Sequence, residues 1–397
     1  MSCDILIIGG GIAGLYCARE LLKHNPNKTV LICEKYNELG GRILTYHKDG
    51  VSWEKGAGRI AGNHVMLHRL IKEYGLHTIP IGSALQFRQN GSAPFEENHF
   101  EPAIDVFLGP LRLLPEGILA THTLKEVLIK VYGPQETQKW MDRFPYDAEV
   151  TVMRADMALR EFFDEMNSHE GFSVCKEGMG SLIYEMEKDV KRRGGHIRCE
   201  YEATHVMKGH ATFKTNDGEI VISAKKIVLA MPVNALKKVI RWKGLSFVTS
   251  APLLRVYAKF DKTWFKGLGR VVTPLPIRYF LPMSEDKGTA MISYTDNEFA
   301  KHYMNMKPDK RQETIMKDLR DLFPEKNIGE PTVFKSYPWD DGVTYWVPGN
   351  YLPADISTDA MNPIPGIYIC GESFSLRQGW VEGALEHTES LLKHHLL

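Results

Sequence analysis

Three glycines, Gly9, Gly11 and Gly14, and an acid, Glu34, twenty residues past the last of them, have the spacing of a site that grips a dinucleotide. Gly9 permits a tight turn, Gly11 lets the backbone approach a pyrophosphate, and Gly14 lets a helix pack closely on the strand before it. Ile12 and Ala13 open that helix, whose free N–H groups and positive dipole end suit phosphate. Glu34 is placed to accept from a ribose hydroxyl, and Lys35 follows it. A second small-residue pair, Gly40-Gly41, allows another close backbone approach, and Arg42 beside it brings a cation able to contact phosphate. Near the carboxyl end, Gly371-Glu372 and Gly379-Trp380-Val381 bracket the start of one more helix. His64 and His68 are spaced i, i+4 with no third ligand, so they read as solvated positions on a surface helix and no metal site is expected.

Placing these residues takes a strand, a helix and a second strand. Residues 4–8 form an apolar run, Leu15, Ala18, Leu21 and Leu22 recur with a helical period, and residues 29–33 form the next apolar run. A helix from 182 to 193 stops at Gly194-Gly195, and a strand starts at His196. Residues 203–207 and 219–222 read as strands around a turn at 215–218, and 226–232 closes the unit. The last strand ends in Gly371-Glu372. The fold expected is α/β: a Rossmann-like dinucleotide domain, discontinuous over 1–80, 178–245 and 345–397, with a substrate domain of mixed sheet and helical cap from 81–177 and 246–344. Pro94, Pro102, Pro110 and Pro115 punctuate a mostly helical insertion with helical stretches at 124–131 and 157–166, whose acids Glu161, Asp164 and Glu165 read as a solvated helix face. Residues 254–260 alternate as a strand does, and 335–349 is an aromatic-rich return.

Lys+Arg and Asp+Glu both number 49, so no basic excess points to nucleic acid or to an anionic membrane surface. The six cysteines form no CxxC pair, which indicates neither a zinc site nor a disulfide framework. No apolar run is long enough to span a bilayer, and with the first strand starting almost at Met1 no leader is expected. The expectation is a soluble, cytoplasmic protein, with a homodimer left open.

The run DILIIGGGIAGL, followed by CEKYNELGGR, resembles the amino end of the flavin amine oxidase family, which includes monoamine, polyamine and L-amino-acid oxidases. The resemblance implies FAD as cofactor, with Gly40, Gly41 and Arg42 as its second fingerprint. Monoamine oxidases carry a cysteine bonded to the flavin near Asp341-Gly342-Val343-Thr344, which has none, so the FAD is expected to be non-covalent. By the same resemblance, backbone near Val206 meets the adenine, Glu372 holds the middle of the cofactor, and the helix start at Trp380 and Val381 faces the flavin. Gly58 and Arg59 lie in a GAGRI stretch similar to the one where amino-acid oxidases set an arginine on the substrate carboxylate. Taken alone, Arg59 is equally a structural cation in a small-residue turn. The Gly379 carbonyl and Trp380 would orient the substrate amine, although Trp380 also suits a core position at a helix start. Tyr337 would complete an aromatic wall. Arg255 stands where the family usually has a lysine near the flavin N5, which puts rapid reoxidation by oxygen in doubt.

The activity implied is FAD-dependent oxidative deamination of an L-amino acid, large and apolar or aromatic, to a 2-oxo acid, ammonia and hydrogen peroxide. Molecular oxygen is then the second small-molecule partner. A polyamine or monoamine oxidase, an amino-acid 2-monooxygenase and a non-catalytic flavin-binding protein stay open as alternatives.

Overall fold

Ile5 to Ile8 are all buried, the near-continuous apolar pattern of a strand covered on both faces. In the computed structural model, which describes residues 2–48, 50–82, 84–166 and 171–397, the strand Ser2–Ile8 lies parallel between Val30–Cys33 and Gly218–Leu229. His196–Arg198 extends the sheet beyond Val30–Cys33, and Ile367–Ile369 pairs in parallel with the last residues of Gly218–Leu229. Ile5 and Ile7 point to one face, where they pack with helices Ile12–His24, Met179–Arg192 and Val381–Leu391; Leu6 and Ile8 join the core on the other face. Burying each such side chain contributes roughly 2 kcal/mol, so the strand is fixed by its position between layers.

The sheet has one more strand than a single turn at 215–218 would give. Glu202–Met207 and His210–Thr215 form one antiparallel pair, and His210–Thr215 pairs in turn with Gly218–Leu229. That last strand runs unbroken for 12 residues because its first half takes an antiparallel partner and its second half parallel ones.

The second sheet runs Val333–Trp346, Val248–Lys259, Thr289–Asp296, Tyr279–Ser284, Arg270–Val272, Leu85–Phe87 and Glu96–Glu97. The aromatic-rich return is thus one strand of 14 residues lying against Val248–Lys259. The stretch read as a helical insertion starts as sheet, and its helices begin only at Phe100. They include Leu124–Tyr132, opened by a reciprocal cap between Thr123 and Glu126, and Ala155–Glu161. Within that stretch, 83 and 167–170 lie outside the described residues, as do 1 and 49 of the stretch read as the dinucleotide domain. A small antiparallel sheet of Arg59–Ala61, Phe172–Cys175 and Thr78–Ile81 ties the chain after the helical stretch to the strand that carries Arg59. Among the described residues, no helix is long and apolar enough to cross a membrane.

Candidate active site

The parallel strands all end at one edge of the first sheet, and the loops that leave them enclose a cavity of about 790 Å³. A crevice at the carboxyl ends of such strands is the place where this architecture binds ligands. Gly9 takes φ +114, and a Cβ there would lie 2.2 Å from the Ala230 carbonyl oxygen. At Gly14 a Cβ would meet the Gly9 carbonyl at 2.0 Å, so the helix sits directly on the turn. At Gly11, by contrast, the nearest atom is the Gly40 carbonyl at 3.8 Å, and both glycines line the cavity. The space a side chain would fill there is an open cradle beside the first turn of Ile12–His24. Ile12 and Ala13 line it as well.

Glu34 borders the same cavity and is fixed by the backbone: Oε2 accepts from the Gly10 N–H at 2.6 Å and Oε1 from the Tyr36 N–H at 3.0 Å. Lys35 pairs with Glu202 at 2.9 Å. Across from them the wall is Tyr201, Glu202 and Ala203. Val206 does not reach it. A bulge between Ala203 and His205 shifts the strand, and Val206 is buried opposite Ala211 in the core, so the residue expected beside the adenine lies off the cavity wall.

Gly41 and Arg42 line the cavity, and the Arg42 guanidinium donates to the Gly342 carbonyl at 3.1 Å and to Glu372 Oε2 at 2.9 Å. Glu372 is buried and accepts four protein donors. Oε1 takes the Thr344 N–H and the Gly379 N–H, and Oε2 takes the Thr344 hydroxyl and Arg42. This one carboxylate holds together the second fingerprint, the end of the long strand and the turn before the last helix. Gly371, at φ +110, Gly379 and Val381 line the cavity beside it.

At the far end the wall is formed by Gly56, Ala57, Leu253, Arg255, Tyr294, Gly379 and Trp380. Gly58 packs on Glu54 instead, where a Cβ would lie 2.7 Å from Cγ. Arg255 faces Tyr294 on one neighbouring strand and Tyr337 on the other. Its guanidinium donates to the Tyr294 hydroxyl at 3.2 Å and stacks over that ring at 4.6 Å, while its buried Nε has no hydrogen-bond partner. Tyr337, expected in the pocket wall, is turned away from it. Its hydroxyl accepts from Trp53 Nε1 at 3.0 Å, and its ring packs with Tyr46 and Tyr257, two residues before Trp339, which does line the cavity.

Arg59 does not line the cavity. It stands behind Trp380, its guanidinium 5.4 Å from the Trp380 ring, 4.6 Å from Phe172 and 5.9 Å from Tyr146. Tyr146 in turn packs on Tyr294, so Arg59, Tyr146, Tyr294 and Arg255 form a continuous stack of cations and rings along this end.

Three residues taken as solvent-facing are buried around Trp380. His64 is 0% exposed, Glu165 1% and Glu161 9%. The Trp380 indole donates to Glu161 Oε1 at 2.5 Å, and His64 meets the same ring edge-on at 4.9 Å. His64 Nδ1 accepts from the Ala61 N–H at 3.3 Å, which leaves Nε2 to donate to Glu165 at 3.0 Å. Arg377 Nε lies 2.8 Å from the other Glu165 oxygen. His68 is half-buried and bonded to the Ala61 carbonyl. Of the acids read as a solvated face, only Asp164 is one, paired with Arg160 at 3.2 Å. Burial, then the Glu165 charge, pushes the Glu161 carboxyl up to about 8, against the Trp380 N–H and the Arg59 and Arg377 charges. The i, i+4 spacing of Glu161 and Glu165 was the available signal, since two acids on one helix face with no lysine or arginine at the same spacing need partners from elsewhere.

The family profile described as flavin containing amine oxidoreductase matches residues 12–389. Aplysianin-A of Aplysia kurodai is 23% identical over 99% of this chain and 90% of that protein. The L-amino-acid oxidase of Mus musculus is 21% identical over 96% of this chain and 69% of that protein. Among solved structures, a putrescine oxidase variant superposes with a TM-score of 0.78 at 17% identity, covering 98% of both chains, which shows a common fold.

Proposed function

The chain belongs to the flavin-containing amine oxidoreductase family and is therefore an FAD-dependent amine oxidase acting on a small-molecule amine with oxygen; from that premise we propose that its substrate is an L-amino acid. The observation that carries this reading is the charge at the Trp380 end of the cavity. Arg255 borders it and Arg59 stands directly behind Trp380. The acids on the cavity wall lie elsewhere. Glu34, Glu38 and Glu202 are at the opposite end, Asp340 and Asp341 are on the strand edge by Asn234, and both Glu372 oxygens are occupied. A site with one guanidinium group on its wall at this end, a second behind Trp380 and no acid on the wall beside them suits a substrate that carries its own carboxylate, and repels a second ammonium.

The cradle at Gly11 and Gly40, the helix start at Ile12 and Ala13, and Glu34 fit the dinucleotide part of FAD, held without a covalent bond. FAD held there would supply the two-electron redox chemistry of amine oxidation, with oxygen as the final acceptor. The chain's own contribution is position and exclusion of water. Glu372 fixes Gly379 through its N–H and so aims the Gly379 carbonyl and the Trp380 backbone. The Gly379 carbonyl is offered to the substrate amine, Trp380 and Tyr294 wall it from water, and Arg59 adds its positive charge to that end from behind the Trp380 ring. The N-terminus of Val381–Leu391 points at the cavity, where its dipole favours developing negative charge.

The test is Arg59→Met in the holoenzyme. Loss of the Arg59 charge from behind Trp380, about 1–2 kcal/mol, lowers kcat/KM for an L-amino acid by roughly 5- to 30-fold while FAD content stays unchanged. Unchanged kcat/KM would remove Arg59 from substrate recognition.

A further inference from the structure

Arg255 differs from the fully buried arginines of this fold in what answers its charge. Arg19 pairs with Asp189 at 3.1 Å, Arg88 with Glu325 at 2.9 Å and Arg154 with Asp156 at 2.6 Å. Arg278 and Arg311 donate to backbone carbonyls instead, of Met141 and Phe144 for the first and of Tyr303 and Met304 for the second. Arg255 has neither kind of partner. Among the described residues it forms no ion pair, and the acceptors beside its guanidinium are two neutral hydroxyls, of Tyr294 at 3.2 Å and of Tyr257. Burial pushes the carboxyl of nearby Glu54 up and the Arg255 charge works the other way. The Glu54 oxygens nevertheless go to the Met179 N–H at 2.9 Å and the Thr45 hydroxyl at 2.8 Å. A cation withdrawn from water is costly to keep without an anion, and this one stands on the cavity wall. We propose that Arg255 and Tyr294 together bind the substrate carboxylate, so that this pair sets the preference of the site for amino acids over amines. This rests on the reading of the substrate as an amino acid.

The two side chains reach the cavity from paired strands, Arg255 directly opposite Tyr294. The Tyr294 ring lies 4.6 Å from the guanidinium carbon, which steadies the planar fork. The Tyr294 hydroxyl accepts from Arg255 and keeps its own proton to give, and among the described residues nothing takes it. A carboxylate set between them would accept from the guanidinium and from the phenol, filling both of its oxygens. Tyr257 cannot serve in the same way, because its hydroxyl already donates to the Glu54 carbonyl at 2.7 Å. Tyr337, opposite Arg255 on the other neighbouring strand, is turned to Trp53. The Gly379 carbonyl stands at the same end of the cavity, so an acceptor for the amine and donors for the carboxylate meet there.

The experiment titrates benzoate and its uncharged counterpart benzamide into the oxidised holoenzyme and reads the flavin absorption spectrum. It compares wild type, Arg255→Met, Arg255→Lys and Tyr294→Phe. Wild type is expected to bind benzoate at least roughly tenfold more tightly than benzamide. Arg255→Met is expected to weaken benzoate by roughly 30- to 100-fold and benzamide by less than about threefold. Arg255→Lys, which keeps the charge and loses the fork, is expected to fall between the two. Tyr294→Phe is expected to weaken benzoate by roughly fivefold and to leave benzamide unchanged. Wild-type benzoate affinity in Arg255→Met, or equal losses of benzoate and benzamide, would overturn the proposal. A wild-type preference for benzoate alongside either result would leave the amino-acid reading standing, with the anion held elsewhere. Should Arg255→Met fail to hold FAD, an unchanged benzoate preference in both Arg255→Lys and Tyr294→Phe would overturn the pair. Wild type binding benzamide as tightly as benzoate, or binding neither, would sink both the pair and the amino-acid reading.

Discussion

Glu372 illustrates what a single residue does here, because its role is complete within the protein. Four donors from three separate stretches of chain converge on its two oxygens. Glu372→Ala would leave the buried Thr344 N–H and the Gly379 N–H without an acceptor and Arg42 without its carboxylate. The expected cost is about 3 kcal/mol of stability, together with loss of bound FAD, and it is checked by urea unfolding and by flavin-to-protein absorbance after gel filtration. Full FAD retention would show that the cofactor site does not depend on this junction. The residue scale is also where sequence reading was least reliable. Glycine spacing announced Gly9 and Gly14 because backbone clearance leaves no other choice there, and Gly11 because a side chain would fill the cradle beside it. Glu161, His64 and Glu165 were missed because their partners come from distant stretches, and an acid in a helical pattern reads as solvated until such a partner is known.

Elements transmit position through their ends. The first turn of the last helix carries Glu382, whose two oxygens accept the Met66 and Leu67 N–H groups at 2.7 and 2.8 Å and so cap the helix Val65–Glu73 from outside. That helix follows directly on the strand bearing Arg59, so the cap couples the Arg59 strand to the Trp380 turn. Glu382→Ala is expected to cost about 2 kcal/mol and to raise hydrogen exchange in residues 65–68; exchange equal to wild type would show the cap to be dispensable. Strands and helices were legible wherever apolar period and glycine stops agreed, as in Ile12–His24 and Val381–Leu391. Val206 and Tyr337 were misplaced because a bulge and a strand register decide which side chains reach a cavity, and neither leaves a mark in a single sequence.

On the scale of the whole molecule, two sheets meet around one cavity. The first sheet, drawn from three separated stretches of chain, supplies the dinucleotide edge; the second supplies Arg255 and Tyr294; and the small sheet and the last helix bring Arg59 to Trp380. The division of labour was readable because the cofactor end is written in backbone constraints. The substrate end is written in side chains that only the assembled fold brings together, so the substrate class is the claim most in need of measurement. The direct test is anaerobic mixing of the oxidised holoenzyme with L-phenylalanine or with putrescine, following the visible flavin absorption. The account predicts bleaching by the amino acid and none by the diamine; bleaching by putrescine, with no response to L-phenylalanine or other L-amino acids, would contradict it.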